Sequence, residues 1–472
     1  MGGMTLPAVS THRPAARHAL AAGSLLHAIK SLILLASLLL LSARPALAQS
    51  VLRDAETEAL MHEASIPLIR AAGLDERNVQ MLVINDPSIN AFVAGGQIVW
   101  FHSGLIAQAD NLNQVQGVMA HELGHIEGGH IVRFADGAKE ATGIQIVSLL
   151  LGAAALAAGG GEAGMGIMAA GQQAAMGKFL AFTRTQESSA DAAGARYLQA
   201  AGISGKGSIE FFKTLRNLEY RLYVPQDTYV RTHPLSSDRI AALTGLYEHD
   251  PAWNKPTDPT LEARFQRVKA KLIGFVNEPA RTLQLYPTSD QSIPAHYARA
   301  YAYHKSAYTE QALQEVQTLL KSAPHDPYFL ELHGQVLLES GKPLEAIAPL
   351  REAVMRTAGQ PLIATLLGHA LIATDNDAYL PEAERVLRNA VSRDRANPFA
   401  WYSLGTVYQR KGDTPRAALA TAERYSMEGD NAMALRHADV ALAGIEPSSP
   451  DYLRAQDIAM ASRSAMEKDR KR

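Results

Sequence analysis

The stretch "VMAHELGHIEGGH", Val118 to His130, places three histidines and two glutamates within thirteen residues. His121 and His125 are four apart, so a helix sets them on one face, one turn from each other. With Glu122 they spell H-E-x-x-H, in which two imidazoles hold a zinc ion and a carboxylate takes the proton of an attacking water. Five residues with three fixed arise by chance in long chains. Here an amphipathic run precedes them, Gly124 sits inside them, and no cysteine offers a competing site. The pattern predicts one catalytic Zn2+ per chain, held by His121 and His125, with Glu122 as general base.

The third ligand has two sources. The metzincin pattern H-E-x-x-H-x-x-G-x-x-H finds its glycine at Gly128, but its last position is Ile131, which cannot bind zinc. His130 falls one residue early and, on a continuing helix, lies about 180° around from His121 at 100° per residue. The other source is "RTQESSADAAGARYLQAAGI", Arg184 to Ile203, where Glu187 and Asp191 share a helical face. A carboxylate from a second helix completes a His₂Glu set and leaves the fourth position for water. On spacing alone, the same pair reads equally well as a solvated helix face.

These residues need elements to hold them. Leu52 to Gly73 has helical spacing and ends at a glycine. "VQMLVIND", Val79 to Asp86, reads as a strand. "NAFVAGGQIVWFHSGLI", Asn90 to Ile106, reads as a hairpin bent at Gly95 and Gly96. A helix is expected from Asn111 to about Ala135, carrying the histidines. Residues 144–182 are rich in alanine and glycine with only Glu162 and Lys178 charged. They are expected to form two buried helices joined by a flexible turn, the sharper alternative being a membrane-touching or substrate-gating segment.

The chain's 472 residues suffice for several cores. Residues 1–48 carry four positives and no acid, and "SLILLASLLLLS" followed by "ARPALA" predicts a signal peptide cleaved before Gln49. Without those residues the net charge of −2 becomes −6, which argues against nucleic-acid binding.

Behind the segment expected to carry the chemistry (residues 49–250) come linker helices (251–290) and then a periodic region (291–472). Ala300, Gly334, Gly368 and Gly405 recur at spacings of 34, 34 and 37, with alanines following at Ala312, Ala346, Ala383 and Ala417. Gly341 and Gly412 each fall seven after their glycine. This is the tetratricopeptide period, predicting antiparallel helix pairs that approach through small residues.

HELGH with the downstream E-S-S-A-D resembles peptidase family M48. "RDAETE" (Arg53 to Glu58), "NAFVAGGQIVWFHSGLI" and "THPLSSDRI" (Thr232 to Ile240) also resemble stretches of that family. With a signal ahead and repeats behind, the chain is similar to its periplasmic β-barrel assembly-enhancing subgroup. One departure is "NAFVAGG", where the family often reads N-A-F-x-x-P-G-G, which bears on the bend before Ile98.

The resemblance implies an α+β, mostly helical gluzincin domain followed by an all-α tetratricopeptide solenoid. It implies His121, His125 and Glu187 as zinc ligands and Glu122 as base, with Asp191 and Arg239 supporting them. It also implies that His233 approaches the zinc as a fourth ligand or switch. Asn90, Ala91, Phe92, Val93 and Ala94 would form the edge strand that pairs with substrate.

The expected function is that of a zinc endopeptidase of the periplasm. It would act on misfolded or stalled outer-membrane proteins and reach them and their assembly machinery through the repeats. The alternative is a chaperone or assembly factor using the same repeats, with proteolysis repressed. A purely structural zinc protein is weaker, because such a site has no use for Glu122 beside its ligand.

Overall fold

The computed structural model describes residues 50–157, 161–222, 233 and 237–471; the signal expected over residues 1–48 lies outside them. The described chain opens with β1 (Val51–Leu52) and α1 (Ala55–Ala71), whose N-cap Asp54 accepts from the Thr57 amide. The helix stops before Gly73, which takes a left-handed φ of 69°. β2 (Gln80–Ile84), β3 (Ala91–Ala94) and β4 (Ile98–His102) follow, with Gly95 and Gly96 turning the β3–β4 hairpin at φ 70° and 98°.

The sheet order is β1-β2-β4-β3. β2 runs parallel to β4, with Gln80 opposite Ile98, while β3 folds back antiparallel on β4, with Ala91 opposite Phe101. β3 is therefore an edge.

Next come α2 (Ser103–Gln108) and α3 (Leu112–Glu127), the latter capped by Asn111 through the Gln114 amide. The helix expected to reach Ala135 breaks instead. Gly128 closes α3, Gly129 takes a left-handed φ of 62°, and α4 (His130–Ala157) starts in a new direction.

α5 (Gly161–Ala201) packs antiparallel on α4, with Gly171 against Ser148 and Gly152 against Met168. The two helices were expected to be buried, but Ile146, Val147, Leu149, Leu150, Leu151, Met165 and Met176 are all at least half exposed. Apolar residues surround both helices, and packing of one on the other leaves much of that surface uncovered. Among the described residues no helix is long and apolar enough to cross a membrane.

α6 (Lys206–Leu222), α7 (Ser237–Tyr247) and α8 (Pro259–Val276) complete the core around the sheet. Leu60 and Leu68 of α1, Phe101 of β4, Leu123 of α3, Phe211 of α6 and Phe265 of α8 all belong to it. Each such side chain contributes about 1.5–3 kcal/mol by leaving water.

After α9 (Pro279–Leu285) the chain is all helical. It forms α10 (Ile293–Lys305), α11 (Thr309–Ser322), α12 (Pro327–Glu339), α13 (Pro343–Arg356) and α14 (Pro361–Ala373). These are followed by α15 (Leu380–Arg393), α16 (Pro398–Arg410), α17 (Thr414–Glu428), α18 (Asn431–Gly444) and α19 (Pro450–Arg470).

Small residues let paired helices meet: a Cβ on Gly334 would overlap Leu350, and one on Gly368 would overlap Leu387. The turn seven residues after each repeat marker is left-handed in all four copies, at Ala307 (φ 58°), Gly341 (78°), Asp375 (56°) and Gly412 (76°). Only two of the four are glycine.

The solenoid is fastened to the sheet region by buried charge. Glu56, 1% exposed, pairs with Arg267 and accepts from Tyr297 Oη at 2.8 Å. Arg267 also holds Asp326 (2.7 Å), Lys271 pairs with Asp54, and Arg53 reaches Asp394 (3.0 Å). Beside this network lies a cavity of about 390 Å³, lined in part by Leu52, Asp54, Leu272, Phe275, Tyr301 and Glu331. Glu331 Oε2 is sealed there without a hydrogen-bond partner. Burial pushes the Glu331 carboxyl up to about 8, with the Lys271 ammonium opposing and Asp54 and Glu56 adding to the rise.

Candidate metal centre

α3 presents His121 and His125 to α5, and the approach depends on two glycines. A Cβ on Gly124 would stand 2.7 Å from the Ala190 carbonyl, and one on Gly194 would stand 3.1 Å from the Ala120 backbone. With both absent, α3 and α5 touch backbone to backbone, and Glu187 one turn away comes within reach of both imidazoles. Glu187 Oε2 is 3.4 Å from His121 Nε2, and Oε1 is 3.3 Å from His125 Nε2. The two Nε2 atoms are 3.1 Å apart.

His233 adds Nδ1 at 3.2 Å from His121 Nε2 and 3.1 Å from Glu187 Oε1. These four buried side chains each offer one ligand atom, all within 4.8 Å of one another. Zinc bonds of 2.0–2.1 Å in a tetrahedron require donor atoms about 3.3 Å apart. Five of the separations among these side chains, 3.1 to 3.4 Å, have that size, and the whole set lies within 4.8 Å. Two imidazoles, a carboxylate and a third imidazole are also a donor set that zinc accepts. The residues fit the ion.

Behind the ligands, His121 Nδ1 stands 2.9 Å from Asp191 Oδ1 in a buried ion pair. Arg239 donates Nε and Nη2 to the two Asp191 oxygens (2.7 and 2.9 Å), and its Nη1 stands 3.1 Å from Glu187 Oε2. The guanidinium thus ties both carboxylates of α5 into one orientation. Burial would raise the Glu187 carboxyl, but hydrogen bonds from His121, His125 and His233 outweigh it and hold it far below the usual carboxylate range. Burial would lower His121, yet Asp191 and Glu187 raise it to about 10, so an arriving metal ion displaces a proton.

Glu122 is 0% exposed, and neither carboxylate oxygen has a hydrogen-bond partner. A sealed carboxylate in that condition costs stability unless something else completes it. His233 Nε2 stands 3.5 Å from its Oε1 and 3.3 Å from the Ala91 carbonyl of the edge strand. That strand has direction. Asn90 O accepts from the His102 amide, so alternation turns Ala91 and Val93 away from β4 and toward the site. Phe92, Val93 and Ala94 are partly buried, Asn90 and Ala91 fully so.

His121, Glu122, His125, Glu187, Asp191, His233 and Arg239 lie within this one cluster, and the edge strand reaches it through the Ala91 carbonyl. Sequence reasoning missed His130, which the break after Gly128 returns to α3: its Nδ1 lies 2.9 Å from His125 Nδ1. The consecutive glycines 128 and 129 were the available signal. Burial holds His130 down to about 4, with the nearby Arg133 guanidinium and His125 ring acting in the same direction.

The sequence profile of Peptidase family M48 matches residues 51–247. The β-barrel assembly-enhancing protease of Escherichia coli (strain K12) is 26% identical over 368 residues, covering 75% of this chain and 72% of that protein. Its counterpart in Yersinia pestis is 24% identical over 354 residues, covering 74% and 71%. Metalloprotease LoiP of Escherichia coli (strain K12) is 30% identical over 154 residues, 32% of this chain and 56% of that protein. The profile covers β1 through α7, the elements that build the tetrahedron, and the two longer alignments continue into the repeats. Residues 51–247 therefore form a zinc-metalloprotease domain that matches the profile of peptidase family M48, and an all-α region of tetratricopeptide-like helix pairs follows it.

Proposed function

We propose that this protein is a periplasmic zinc endopeptidase that cleaves misfolded or stalled outer-membrane proteins. The observation that carries the reading is Glu122, sealed beside a four-residue donor set with neither oxygen hydrogen-bonded. When bound, zinc supplies a Lewis acid and an acidified water. Glu122 takes the proton of the attacking water and passes it to the leaving amine, so no covalent intermediate with the chain forms.

An extended substrate pairs with the outward groups of Ala91 and Val93, which reads backbone rather than sequence and selects unfolded segments. Asp191 keeps the His121 proton on Nδ1 and its lone pair toward the metal. Arg239 prevents the Asp191 and Glu187 carboxylates from repelling each other.

The periplasmic location is supported by the signal expected over residues 1–48 and by similarity to proteases of β-barrel assembly. Their assembly-enhancing role supports the repeats as the surface that reaches outer-membrane proteins and their assembly machinery. The exposed apolar faces of α4 and α5 support peripheral membrane contact through residues 144–182.

The test is Glu122→Gln, expected to retain one zinc per chain and to lose cleavage of an unfolded outer-membrane protein. Retained cleavage would refute the role of Glu122.

One observation favours the second reading, a chaperone or assembly factor with repressed proteolysis. His233 takes a corner of the tetrahedron and donates Nε2–H to Ala91 O, so it covers both the fourth position and the first pairing group of the edge strand. Substrate capture by Glu122→Gln at wild-type affinity, combined with negligible wild-type turnover, would favour this reading.

A further inference from the structure

His130 lies beside a metal ligand without being one, and the chain spends two glycines to put it there. A Cβ on Gly128 would overlap the His130 ring, so any other residue would expel that ring. Gly129, at φ 62°, reverses the chain so that His130 becomes the first residue of α4. The ring is 6% exposed and packs edge-on against His125, with centroids 4.9 Å apart.

We infer that His130 is a positioning residue for His125, resting on the zinc reading above. His125 turns Nε2 toward His121 Nε2 and Glu187 Oε1. A neutral imidazole that offers Nε2 to a metal carries its proton on Nδ1 and needs an acceptor there. His130 Nδ1, 2.9 Å away, is placed to accept it, which puts the proton of His130 on its own Nε2. The two ligand histidines of α3 are therefore braced differently. His121 turns Nδ1 toward a carboxylate neutralised by Arg239, 2.9 Å away, whereas His125 donates to a neutral ring. A neutral acceptor fixes the tautomer and ring plane of His125 without adding negative charge to a site that already holds Glu122, Glu187 and Asp191.

The role can be separated from packing. Asparagine places Oδ1 close to where histidine places Nδ1 and restores the acceptor; leucine fills the space and offers none. Zinc affinity of the full mature chain is measured by competition with a chromophoric chelator for wild type, His130→Ala, His130→Leu and His130→Asn. Cobalt(II) absorption reports ligand geometry, and the thermal midpoint of each apo-protein reports folding.

The alanine and leucine variants are expected to bind zinc ten- to a hundredfold more weakly, with cobalt bands weakened. The asparagine variant is expected within threefold of wild type, and all apo-proteins should melt within a few degrees of one another. Wild-type affinity in His130→Ala would overturn the inference. So would rescue by leucine, or failure of asparagine to rescue, because either result assigns the ring to packing. None of these readouts uses proteolysis. An inactive enzyme with this affinity pattern would refute the endopeptidase reading and leave the inference standing, and a wild type that bound no zinc would refute the zinc reading itself.

Discussion

Replacing Glu331 by glutamine is expected to stabilise the protein at neutral pH and to leave it unchanged in acid. Glu331 sits in the seam between the sheet region and the solenoid, with Oε2 sealed and unpartnered, and its carboxyl is pushed from 4.5 up to about 8. The sign follows from which state holds the proton. Between those two values the folded chain keeps the proton while the unfolded chain has released it. The stability that goes with it is present in full below pH 4.5 and is lost as pH rises toward 8.

The interval is about 3.5 pH units, and each is worth about 1.4 kcal/mol, so the cost is on the order of 3 kcal/mol at pH 7 and at most about 5 above pH 8. Screening by water entering the cavity reduces both figures. Glutamine has the shape of the neutral acid and does not titrate, so Glu331→Gln should be free of the loss. Thermal midpoints of both proteins, measured from pH 4 to pH 9, should coincide at the acid end and diverge above pH 5, the variant melting higher. Parallel curves across that range would refute the reasoning.

Lys271→Ala removes the cation from a seam that also holds Asp54 and Glu56, and breaking such a buried pair typically costs about 3–5 kcal/mol, readable in urea unfolding. Gly124→Ala sets a Cβ 2.7 Å from the Ala190 carbonyl, backbone on which there is no give; zinc content and thermal midpoint should fall together, by about 1–3 kcal/mol in stability. Ala307→Gly relieves a left-handed alanine in a repeat turn, with an expected gain of up to about 1 kcal/mol and no change in zinc content. His233→Ala, tested at equal zinc occupancy, should raise the basal cleavage of an unfolded protein if the ring covers the fourth position, and an unchanged rate would count against that coverage.

The zinc-binding helix was readable because H-E-x-x-H needs only local periodicity, and α3 supplies it. The choice between Glu187 and Asp191 was not readable. Both face α3, and the outcome depends on one methylene: the longer side chain reaches the Nε2 atoms, while the shorter one stops at the outer nitrogen of His121. His130 was hidden by an assumed helix continuation that Gly129 ends. Apolar composition in residues 144–182 marked helices correctly but not their surroundings, because hydrophobicity states what a residue avoids and not what covers it. In the repeats, Gly341 and Gly412 advertised their turns, whereas Ala307 and Asp375 adopt the same backbone with nothing in their side chains to announce it.

The close contact of α5 with α3 also gives α5 the proportions of a lever. α5 is one unbroken helix from Gly161 to Ala201, and it presses on α3 at Gly194. At 1.5 Å per residue, Glu187 lies about 10 Å from that contact and the Gly161 end lies about 50 Å from it. A sideways swing of about 1 Å at the far end therefore becomes about 0.2 Å at Glu187, which is the tolerance of a metal–ligand bond. Whatever grips the exposed apolar end holds the long arm of a reducing lever whose short arm is a zinc ligand. Tethering that end to a bilayer or a bead should then change the rate at which zinc exchanges, and equal rates for tethered and free protein would show that the rod does not transmit.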